Sequence, residues 1–296
     1  MRQPTPRDYN ASESAAQREE LISKPYALHQ LLRIQRVLDQ HPAGLIIDID
    51  GTIAPITPTP DETQVSPLCR SALATLTSSM ALVAVLSGRG ALKAREMLAV
   101  DGVVYVGNHG LDRWRDGKLE IAEEAKEYQS AIQRLENKLR QDLDMPGLIV
   151  EDKGISVGIH YRLSHEPRRA RETILRILGN TLEAQGLIVT EGKLVVEVRP
   201  PTGVDKGTSL RQLVTEYGLK GVICLGDDVT DVDAFKAVHA LSSQGRCKGL
   251  ALGVLGQNTP PDIEQEADLL LRGVPEVEEL LQRIAKAYPS TAPAPS

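Results

Sequence analysis

The chain has 296 residues, of which 41% are hydrophobic and 25% are charged, so it is a globular protein with enough residues for one large domain or two modest ones. The formal net charge is −6 and no long basic run is present, which argues against nucleic acid as a partner because its phosphates attract positive charge. The chain also has only one Trp, seven Tyr and one Phe, so it offers few aromatic rings on which bases could stack. No apolar stretch approaches the roughly 20 residues of a membrane helix and no signal peptide is recognisable, so we predict a cytoplasmic protein without a membrane partner. Cys69, Cys224 and Cys247 lack metal-ligand spacing and are predicted to be free thiols.

Residues 1–42 are predicted to form an N-terminal extension. Its first part is rich in Ser, Gln, Arg and Glu, a composition typical of disorder, whereas apolar residues recur at helical spacing within residues 26–39. At the other end of the chain, residues 289–296 are Pro, Ala, Ser and Thr and are predicted to be a loose tail.

Two segments, residues 43–121 and 200–288, alternate between predicted strands and helices. The predicted strands span residues 44–50, 81–86, 103–106, 221–225 and 249–254, and the predicted helices span residues 67–78, 91–98, 208–217, 231–240 and 274–287. This alternation predicts an α/β fold in which a Rossmann-like parallel sheet carries helices on both faces.

Residues 122–199 do not follow this alternation. A long amphipathic helix is predicted over residues 123–143 and a second over residues 167–185, and each precedes a pair of short strands joined by a turn. We therefore predict that residues 122–199 are an α+β cap domain inserted into the core, with Pro200 and Pro201 marking the return of the chain.

Two acids, Asp48 and Asp50, lie at the carboxyl end of the first predicted strand, followed by Gly51 and Thr52. Because alternate residues of a strand share a face, both carboxylates are expected to reach one site at the edge where open α/β sheets bind ligands. Two acids at that position can hold a hard cation and act as nucleophile and general acid/base.

Two other interpretations of this motif are less consistent with the sequence. A calcium-binding loop also begins Asp-x-Asp, but it requires glycine at its sixth position and glutamate at its twelfth, whereas here Gly51 is fourth and Thr59 is twelfth. In the second interpretation the aspartates are only turn or capping residues, but two acids that close an apolar strand are costly to bury without a partner.

Other polar segments follow predicted strands or begin predicted helices. Ser87 offers a hydroxyl to a phosphate oxygen, Gly88 allows close backbone approach, and Arg89 follows them. Lys206 precedes a predicted helix and can place a fixed cation in a phosphate site, although a lysine at such a position is more often a solvated surface residue.

Three acids, Asp227, Asp228 and Asp231, lie within five residues after a predicted strand. Their carboxylates repel one another unless a cation is present, although Asp231 alone is also explained as a helix N-cap. His109 follows another strand in a Gly-Asn-His-Gly turn, where a structural and a functional role are equally supported.

The order of these motifs resembles that of the haloacid dehalogenase superfamily of phosphatases. The superfamily pattern is Asp-x-Asp-Gly-Thr, then Ser or Thr, then Lys, then Gly-Asp-Asp with a further Asp. The matching positions in this sequence are Asp48, Asp50, Ser87, Lys206, Asp227, Asp228 and Asp231.

Further motifs are similar to those of the trehalose-6-phosphate phosphatase family. They begin at Gly107, Glu151, His160 and Glu197, and the resemblance extends from about residue 43 to 287. The segments around Glu151 and Glu197 are specific to this family. The sequence departs from the family pattern at two places. Asp112 replaces a common Glu, and residues 231–235 read Asp-Val-Asp-Ala-Phe where Asp-Glu-Asp-Met-Phe is more common. Neither departure changes the acids at the catalytic positions.

The resemblance implies magnesium-dependent hydrolysis of trehalose 6-phosphate to trehalose and phosphate, the last step of trehalose biosynthesis. In this mechanism Asp48 is the nucleophile that becomes an aspartyl-phosphate, and Asp50 is the general acid and base. Mg²⁺ is expected to bind the Asp48 carboxylate, the Asp50 backbone carbonyl and Asp227, while Ser87 and Lys206 hold the phosphoryl oxygens.

The resemblance also implies supporting and substrate-binding residues. Asp228 and Asp231 are expected to orient Lys206 or metal-bound water. The residues expected to contact the sugar phosphate are Ser87, Gly88, Arg89, His109, Glu151, Lys153 and Glu197.

Two rival functions remain open from the sequence. The enzyme could dephosphorylate another sugar phosphate, such as sucrose phosphate or mannosylphosphoglycerate, or the chain could be a catalytically silent regulatory homologue. The cap motifs argue against the first, and the intact acids argue against the second. The resemblance further implies functional coupling to a trehalose-6-phosphate synthase.

Overall fold

The computed structural model of the protein describes residues 24–59, 62–182, 186–257 and 259–288. These residues form one sheet of eight strands and one of four strands, with helices packed against both. The larger sheet is mostly parallel and the smaller one is antiparallel, which confirms the predicted α/β class with an additional α+β unit. The predicted disordered segment, apart from its last residues, and the predicted tail lie outside the described residues.

The strands and α-helices are named here in chain order. The strands are β1 (Ala43–Ile47), β2 (Leu82–Leu86), β3 (Val104–Gly107), β4 (Asp112–Arg115), β5 (Lys118–Ile121), β6 (Ile149–Asp152), β7 (Val157–His160), β8 (Ile188–Gly192), β9 (Val195–Arg199), β10 (Gly221–Gly226), β11 (Lys248–Leu255) and β12 (Leu269–Arg272). The helices are α1 (Leu31–Leu38), α2 (Pro67–Leu76), α3 (Ala91–Leu98), α4 (Glu123–Lys126), α5 (Gln129–Asp142), α6 (Pro167–Leu182), α7 (Lys206–Glu216), α8 (Val229–Ser243), α9 (Pro261–Glu266) and α10 (Gly273–Ala287).

The large sheet has the strand order β12-β11-β10-β1-β2-β3-β4-β5. Its first six strands in this order are parallel, and β4 and β5 extend one edge as an antiparallel hairpin. Strand β1 is central and apolar because both faces of the sheet are covered. Leu45 and Ile47 face the core formed with α1, α2, α3 and α10, whereas Ile46 faces the core formed with α7, α8 and α9.

The small sheet has the order β6-β7-β9-β8, and helices α5 and α6 pack on one of its faces. Val157 and Ile159 from β7 and Val196 and Val198 from β9 join the apolar core under these helices. Because side chains alternate along a strand, the residues between them, including Glu197, lie on the other face. That polar face is directed towards the carboxyl edge of the large sheet, and the two sheets enclose a cleft between them.

The structure corrects several predicted elements. The helix predicted over residues 123–143 is broken into α4 and α5, because Ala125 packs with Leu111 and Ile155 whereas the apolar residues of α5 belong to the core of the small sheet. The hairpin of β4 and β5 was not predicted, since these edge strands are polar and lack an apolar run. Helix α9 and strand β12 were also missed. Within the described residues, no helix combines the length and apolarity needed to cross a membrane.

Candidate active site

The acid at the centre of the cleft, Asp48, directly follows β1. Its N–H donates to the carbonyl of Leu225 at 3.0 Å and so continues the pairing of β1 with β10 by one residue. The chain then turns sharply, because the N–H groups of Ile53 and Ala54 both donate to the carbonyl of Ile49. This turn leaves the buried Asp48 side chain at the carboxyl edge of the sheet.

Gly51 allows this turn to form and to approach a second acid. Its φ is +85°, and a Cβ at this position would lie 2.2 Å from Oδ2 of Asp227, so only glycine fits. Asp50 therefore lies in the turn and not in the strand, and the strand predicted to reach residue 50 ends at Ile47. The expectation that Asp48 and Asp50 share a strand face was wrong, although both still line the cleft.

The second acidic segment follows β10, whose six residues are all buried. Asp227 comes next, and α8 begins at Val229. The Oδ2 atom of Asp231 accepts hydrogen bonds from the N–H groups of Asp227 at 3.2 Å and Asp228 at 3.1 Å. Asp231 thus fixes the backbone that carries the other two acids.

Lys206 connects the two acidic segments. Its Nζ donates to Oδ1 of Asp48 at 2.8 Å and to Oδ1 of Asp231 at 2.7 Å, and the side chain is buried. Lys206 is the first residue of α7, and reciprocal hydrogen bonds between Asp205 and Thr208 form a capping box there. The helix start therefore holds the ammonium group in place.

Burial and mutual repulsion set the protonation of these acids. Burial raises the pKa of Asp48 well above its usual range, and Asp231 and Asp227 raise it further, against the opposing effect of Lys206. Burial and the neighbouring Asp231 raise the pKa of Asp227 to about 7. Burial alone would lower the pKa of Lys206, but its two carboxylate partners raise it instead. The cluster thus has a surplus of negative charge that a cation would relieve.

Ser87 and Gly88 follow β2 and form a second wall of the cleft. The Ser87 hydroxyl is buried and accepts a hydrogen bond from the Arg89 N–H at 3.2 Å. A Cβ at Gly88 would lie 2.7 Å from Cε1 of His109, so glycine is required for this close contact. His109 itself has a φ of +58°, a left-handed conformation that side chains seldom adopt.

Arg89 is paired with an acid of the core. Its Nε and Nη2 donate to the two carboxylate oxygens of Asp50 at 2.7 and 2.6 Å, and Nη2 also donates to Oγ1 of Thr63 at 3.0 Å. A bidentate pair of this kind fixes both side chains. The guanidinium thus orients Asp50, and because Arg89 also lines the cleft, its expected substrate contact stays a prediction.

A row of residues crosses the polar face of the small sheet. In the strand register Glu151 lies opposite Gly158, Gly158 opposite Glu197, and Glu197 opposite Thr190. Gly158 leaves space beside it, because a Cβ there would lie 3.3 Å from both Cε of Lys153 and Nε2 of His160. Glu151 is hydrogen-bonded to His160 at 2.7 Å.

Glu197 and Lys153 connect this face to the large sheet. Lys153 Nζ donates to the Gly88 carbonyl at 3.0 Å and lies 3.3 Å from Oε1 of Glu197, while Oε2 of Glu197 lies 3.3 Å from Nε2 of His109. Ser156 donates to the same carboxylate at 3.0 Å. Burial alone would raise the pKa of Glu197, but Lys153 and the hydrogen bonds lower it well below its usual range.

On the opposite side of the cleft, the turn between β8 and β9 also meets the core. Lys193 Nζ lies 3.4 Å from Oδ1 of Asp228 and 3.8 Å from Oδ2 of Asp227. Arg162 donates to the carbonyl of Lys193 at 3.0 Å and to the carbonyl of Thr57 in the core. Asp228 therefore faces Lys193, and its expected role in orienting Lys206 or metal-bound water stays a prediction.

One cleft of about 330 Å³ brings together all the predicted site residues except Asp231, which lies beneath it against Lys206. The sequence interpretation assigned no site role to four other residues that line the cleft. His160 and Arg162 occur in a motif that carries the family resemblance, and Lys193 lies in a predicted turn, so each had a sequence signal. Thr63 had none, because its contact with Arg89 depends on the tertiary fold.

The donors for a metal ion are present in the acidic cluster. One carboxylate oxygen from each of Asp48, Asp227 and Asp231 lies within 4.8 Å of the others. Both Asp231 oxygens already accept hydrogen bonds, whereas buried Oδ1 of Asp227 has no hydrogen-bond partner among the described residues. Carboxylate oxygens are the ligands that Mg²⁺ prefers, so the Asp48 and Asp227 donors fit this ion. The Asp50 carboxylate is held by Arg89 and lies outside the acidic group.

Comparison with known proteins agrees with this arrangement. The sequence matches the trehalose-phosphatase family over residues 46–252. It is 30% identical to "Probable trehalose-phosphate phosphatase D" of Arabidopsis thaliana over 90% of this chain and 73% of that protein. It is 33% identical to "Trehalose-phosphate phosphatase" of Mycobacterium leprae over 73% of this chain and 52% of that protein.

A solved structure supports the fold. The trehalose-6-phosphate phosphatase C-terminal domain of C. albicans superposes with a TM-score of 0.70 and 21% identity, covering 90% of this chain and 99% of that domain. The family match confirms the resemblance inferred from the motifs. The chain belongs to the trehalose-phosphatase family of phosphomonoester hydrolases.

Proposed function

We propose that this protein hydrolyses trehalose 6-phosphate to trehalose and phosphate, with magnesium as cofactor and an aspartyl-phosphate on Asp48 as intermediate. The observation that carries the proposal is the pairing of Asp48 with buried Lys206 in a cleft whose other wall is the polar face of the small sheet. Membership of the trehalose-phosphatase family supports the substrate.

Asp48 would attack phosphorus with a carboxylate oxygen and displace the sugar oxygen. Lys206 can hold a phosphoryl oxygen from its fixed position at the start of α7, and the Ser87 hydroxyl can donate to another. Phosphoryl transfer depends mainly on positioning and charge stabilisation, and these buried groups are already positioned.

Asp50 would protonate the departing sugar oxygen and later take a proton from the water that hydrolyses the aspartyl-phosphate. The bidentate contact with Arg89 directs this carboxylate and restricts its rotation. Arg89 therefore acts on the reaction through Asp50 as a positioning residue, and Thr63 supports the guanidinium.

A magnesium ion would be held by the carboxylates of Asp48 and Asp227 and by the backbone carbonyl of Asp50. The ion would offset the negative charge between the nucleophile and the phosphoryl group. The raised pKa values of Asp48 and Asp227 support this proposal, because a cation beside these two carboxylates would favour their ionised forms.

The polar face of the small sheet would recognise the sugar. Glu151, Lys153 and Glu197 present carboxylates and an ammonium group that can bind hydroxyls remote from phosphorus. We accordingly propose that residues 43–121 and 200–288 form the catalytic core, that residues 122–199 form the cap that selects the substrate, and that residues 1–42 are an extension.

The test is phosphate release from trehalose 6-phosphate, compared with sucrose 6-phosphate and mannosylphosphoglycerate, with magnesium and with a chelator. We expect trehalose 6-phosphate to react fastest and the chelator to abolish activity. Faster release from another sugar phosphate would overturn the substrate assignment, and no release from any ester would indicate a silent homologue. Activity on trehalose 6-phosphate would also support coupling to the synthase that makes this ester.

A further inference from the structure

The turn between β8 and β9 is attached to the core at two points. Lys193 Nζ lies near the carboxylates of Asp227 and Asp228, at 3.8 and 3.4 Å. Arg162 bridges the backbone carbonyls of Lys193 and Thr57, so one guanidinium group joins the turn to the core. The ammonium group of Lys193, a residue of the proposed cap, thus lies beside Asp227, which is an acid of the proposed cation site, and beside its neighbour Asp228.

The backbone of this turn holds Lys193 in its position. The next residue, Leu194, has a φ of +61°, which is unfavourable for a residue with a branched side chain. Its carbonyl accepts a hydrogen bond from the Tyr161 N–H at 3.0 Å. Together with the Arg162 contact, this bond supports the unusual conformation, so the lysine is presented by an ordered turn.

The contact places a positive charge where the proposed metal would place one. Asp227 offers a buried oxygen without a hydrogen-bond partner among the described residues, and its other carboxylate oxygen faces Lys193. Lys193 is about one-third exposed and lines the same cleft as Asp48. An ammonium group and a divalent cation that both lie beside Asp227 repel each other.

We propose that Lys193 competes with the divalent cation for Asp227. The closed cap, which brings Lys193 to this acid, and an occupied metal site therefore oppose each other until a phosphoryl group is bound. This inference rests on the proposed metal site. A phosphoryl dianion adds two negative charges to the cleft, which allows the metal and the lysine to be present together. The cap of the metal-loaded protein would therefore close on substrate and stay open without it.

The competition has a thermodynamic consequence that can be measured. If closure weakens metal binding by a given factor, metal binding must weaken closure by the same factor. Removing the Lys193 charge should therefore tighten metal binding in the absence of substrate. We expect a gain of about threefold to tenfold, the scale of a coupling near 1 kcal/mol between partly exposed charges.

The experiment is calorimetric titration of the full chain with Mg²⁺. The variants are Lys193→Gln, which removes the charge, and Lys193→Arg, which keeps it. Lys236→Gln is the matched control, because it removes an exposed lysine charge from α8 that acts on Asp233, which is not a proposed metal ligand. We expect tighter binding in Lys193→Gln only.

A second titration adds inorganic phosphate. Phosphate should strengthen Mg²⁺ binding more in the wild type than in Lys193→Gln, because only the wild type has the opposing ammonium group. If the wild type binds Mg²⁺ and the folded Lys193→Gln variant binds it with the same or a lower affinity, this inference is overturned. The proposed function would then remain intact. No Mg²⁺ binding by the wild type would overturn the metal site itself, and this inference with it.

Discussion

At the scale of single residues, the site depends on a lysine shared between two buried acids. Lys206 contacts Asp48 and Asp231, and the second of these acids also holds the backbone of Asp227. Each acid therefore has a different task. Asp231 fixes the geometry, whereas we propose the carboxylates of Asp48 and Asp227 for the chemistry and for binding a cation.

The first prediction concerns the nucleophile. Asp48→Asn keeps the shape of the side chain and an oxygen that can accept from Lys206, but an amide is a very poor nucleophile. We expect turnover of trehalose 6-phosphate to fall by at least about a thousandfold, while circular dichroism shows a folded protein. More than a few per cent of wild-type turnover would show that Asp48 is not the nucleophile.

At the scale of elements, two turns illustrate what a glycine contributes. Gly51 and Gly117 have φ angles of +85° and +80°, so alanine is strained in either turn. A Cβ at residue 51 collides with the Asp227 carboxylate, whereas a Cβ at residue 117 meets nothing within 4 Å. The two positions therefore separate backbone strain from damage to the site.

The second prediction uses this pair. Gly117→Ala should lower the free energy of unfolding by about 1–2 kcal/mol through strain alone, with Mg²⁺ affinity unchanged. Gly51→Ala should carry the same strain and also displace Asp227, so we expect at least a tenfold loss of Mg²⁺ affinity. Calorimetry and urea unfolding of both variants test this, and equal Mg²⁺ affinity in the two would contradict it.

Another contact between elements should depend on pH. Asp112 in β4 accepts a hydrogen bond from the N–H of Ala91 at the start of α3, and burial raises the pKa of its carboxyl from 3.8 to about 6. The folded state therefore binds this proton more tightly than the unfolded state. The stabilising contribution of protonated Asp112 is complete below about pH 4 and is lost as the pH rises through about 6.

The third prediction follows from this loss of stability with rising pH. Asp112→Asn cannot ionise, and its amide oxygen can still accept from Ala91. The stability of the variant relative to the wild type should increase by about 2–3 kcal/mol between pH 4 and pH 7, since each pKa unit corresponds to about 1.4 kcal/mol. Urea unfolding of both proteins at the two pH values measures this difference, and a constant difference would contradict the assignment.

The elements also show how far the sequence alone could lead. Strands such as β1 and β10 can be predicted from the sequence, because both faces of a central strand are buried and its residues form an apolar run. The acids that follow these two strands were therefore predicted to lie near one site. The polar hairpin of β4 and β5 could not be predicted from the sequence, because its pairing depends on a free edge of the large sheet. Similarly, the contact of Arg89 with Asp50 requires knowledge of side-chain direction, which no sequence motif contains.

At the scale of the whole molecule, our proposal assigns recognition and chemistry to different sheets. Asp48 follows strand β1 of the large sheet and Lys206 begins helix α7 beside it, whereas Glu151 and Glu197 lie in the small sheet. The division is not complete, because Glu197 also contacts His109 of the core. The chain passes from one sheet to the other near residues 122 and 200, since the hairpin of β4 and β5 still belongs to the large sheet.

The fourth prediction tests this division. Glu197→Ala removes an acceptor for sugar hydroxyls, and the loss of such a bond costs about 1–3 kcal/mol, so kcat/KM for trehalose 6-phosphate should fall by roughly tenfold to a hundredfold. Hydrolysis of para-nitrophenyl phosphate should stay near the wild-type rate, because this small ester does not reach Glu197. Glu197→Gln is the matched variant that keeps the shape and should lose less.

An equal loss on both esters would mean that Glu197 mainly supports the structure between the sheets. Thermal melting of both variants separates this outcome from a defect in sugar recognition, because a structural role would lower the melting temperature in proportion to the lost activity.

The pairing of β1 with β10 has a consequence for how the protein is made. Ala43 lies opposite Gly221 in the register, so the whole small sheet is synthesised between the two central strands. Domains tend to fold as units while the chain is still emerging from the ribosome, which means that the small sheet can form while one edge of β1 is still unpaired. Asp48 and Asp227 can come together only after β10 has been synthesised, so the acidic pair forms late in the synthesis of the chain.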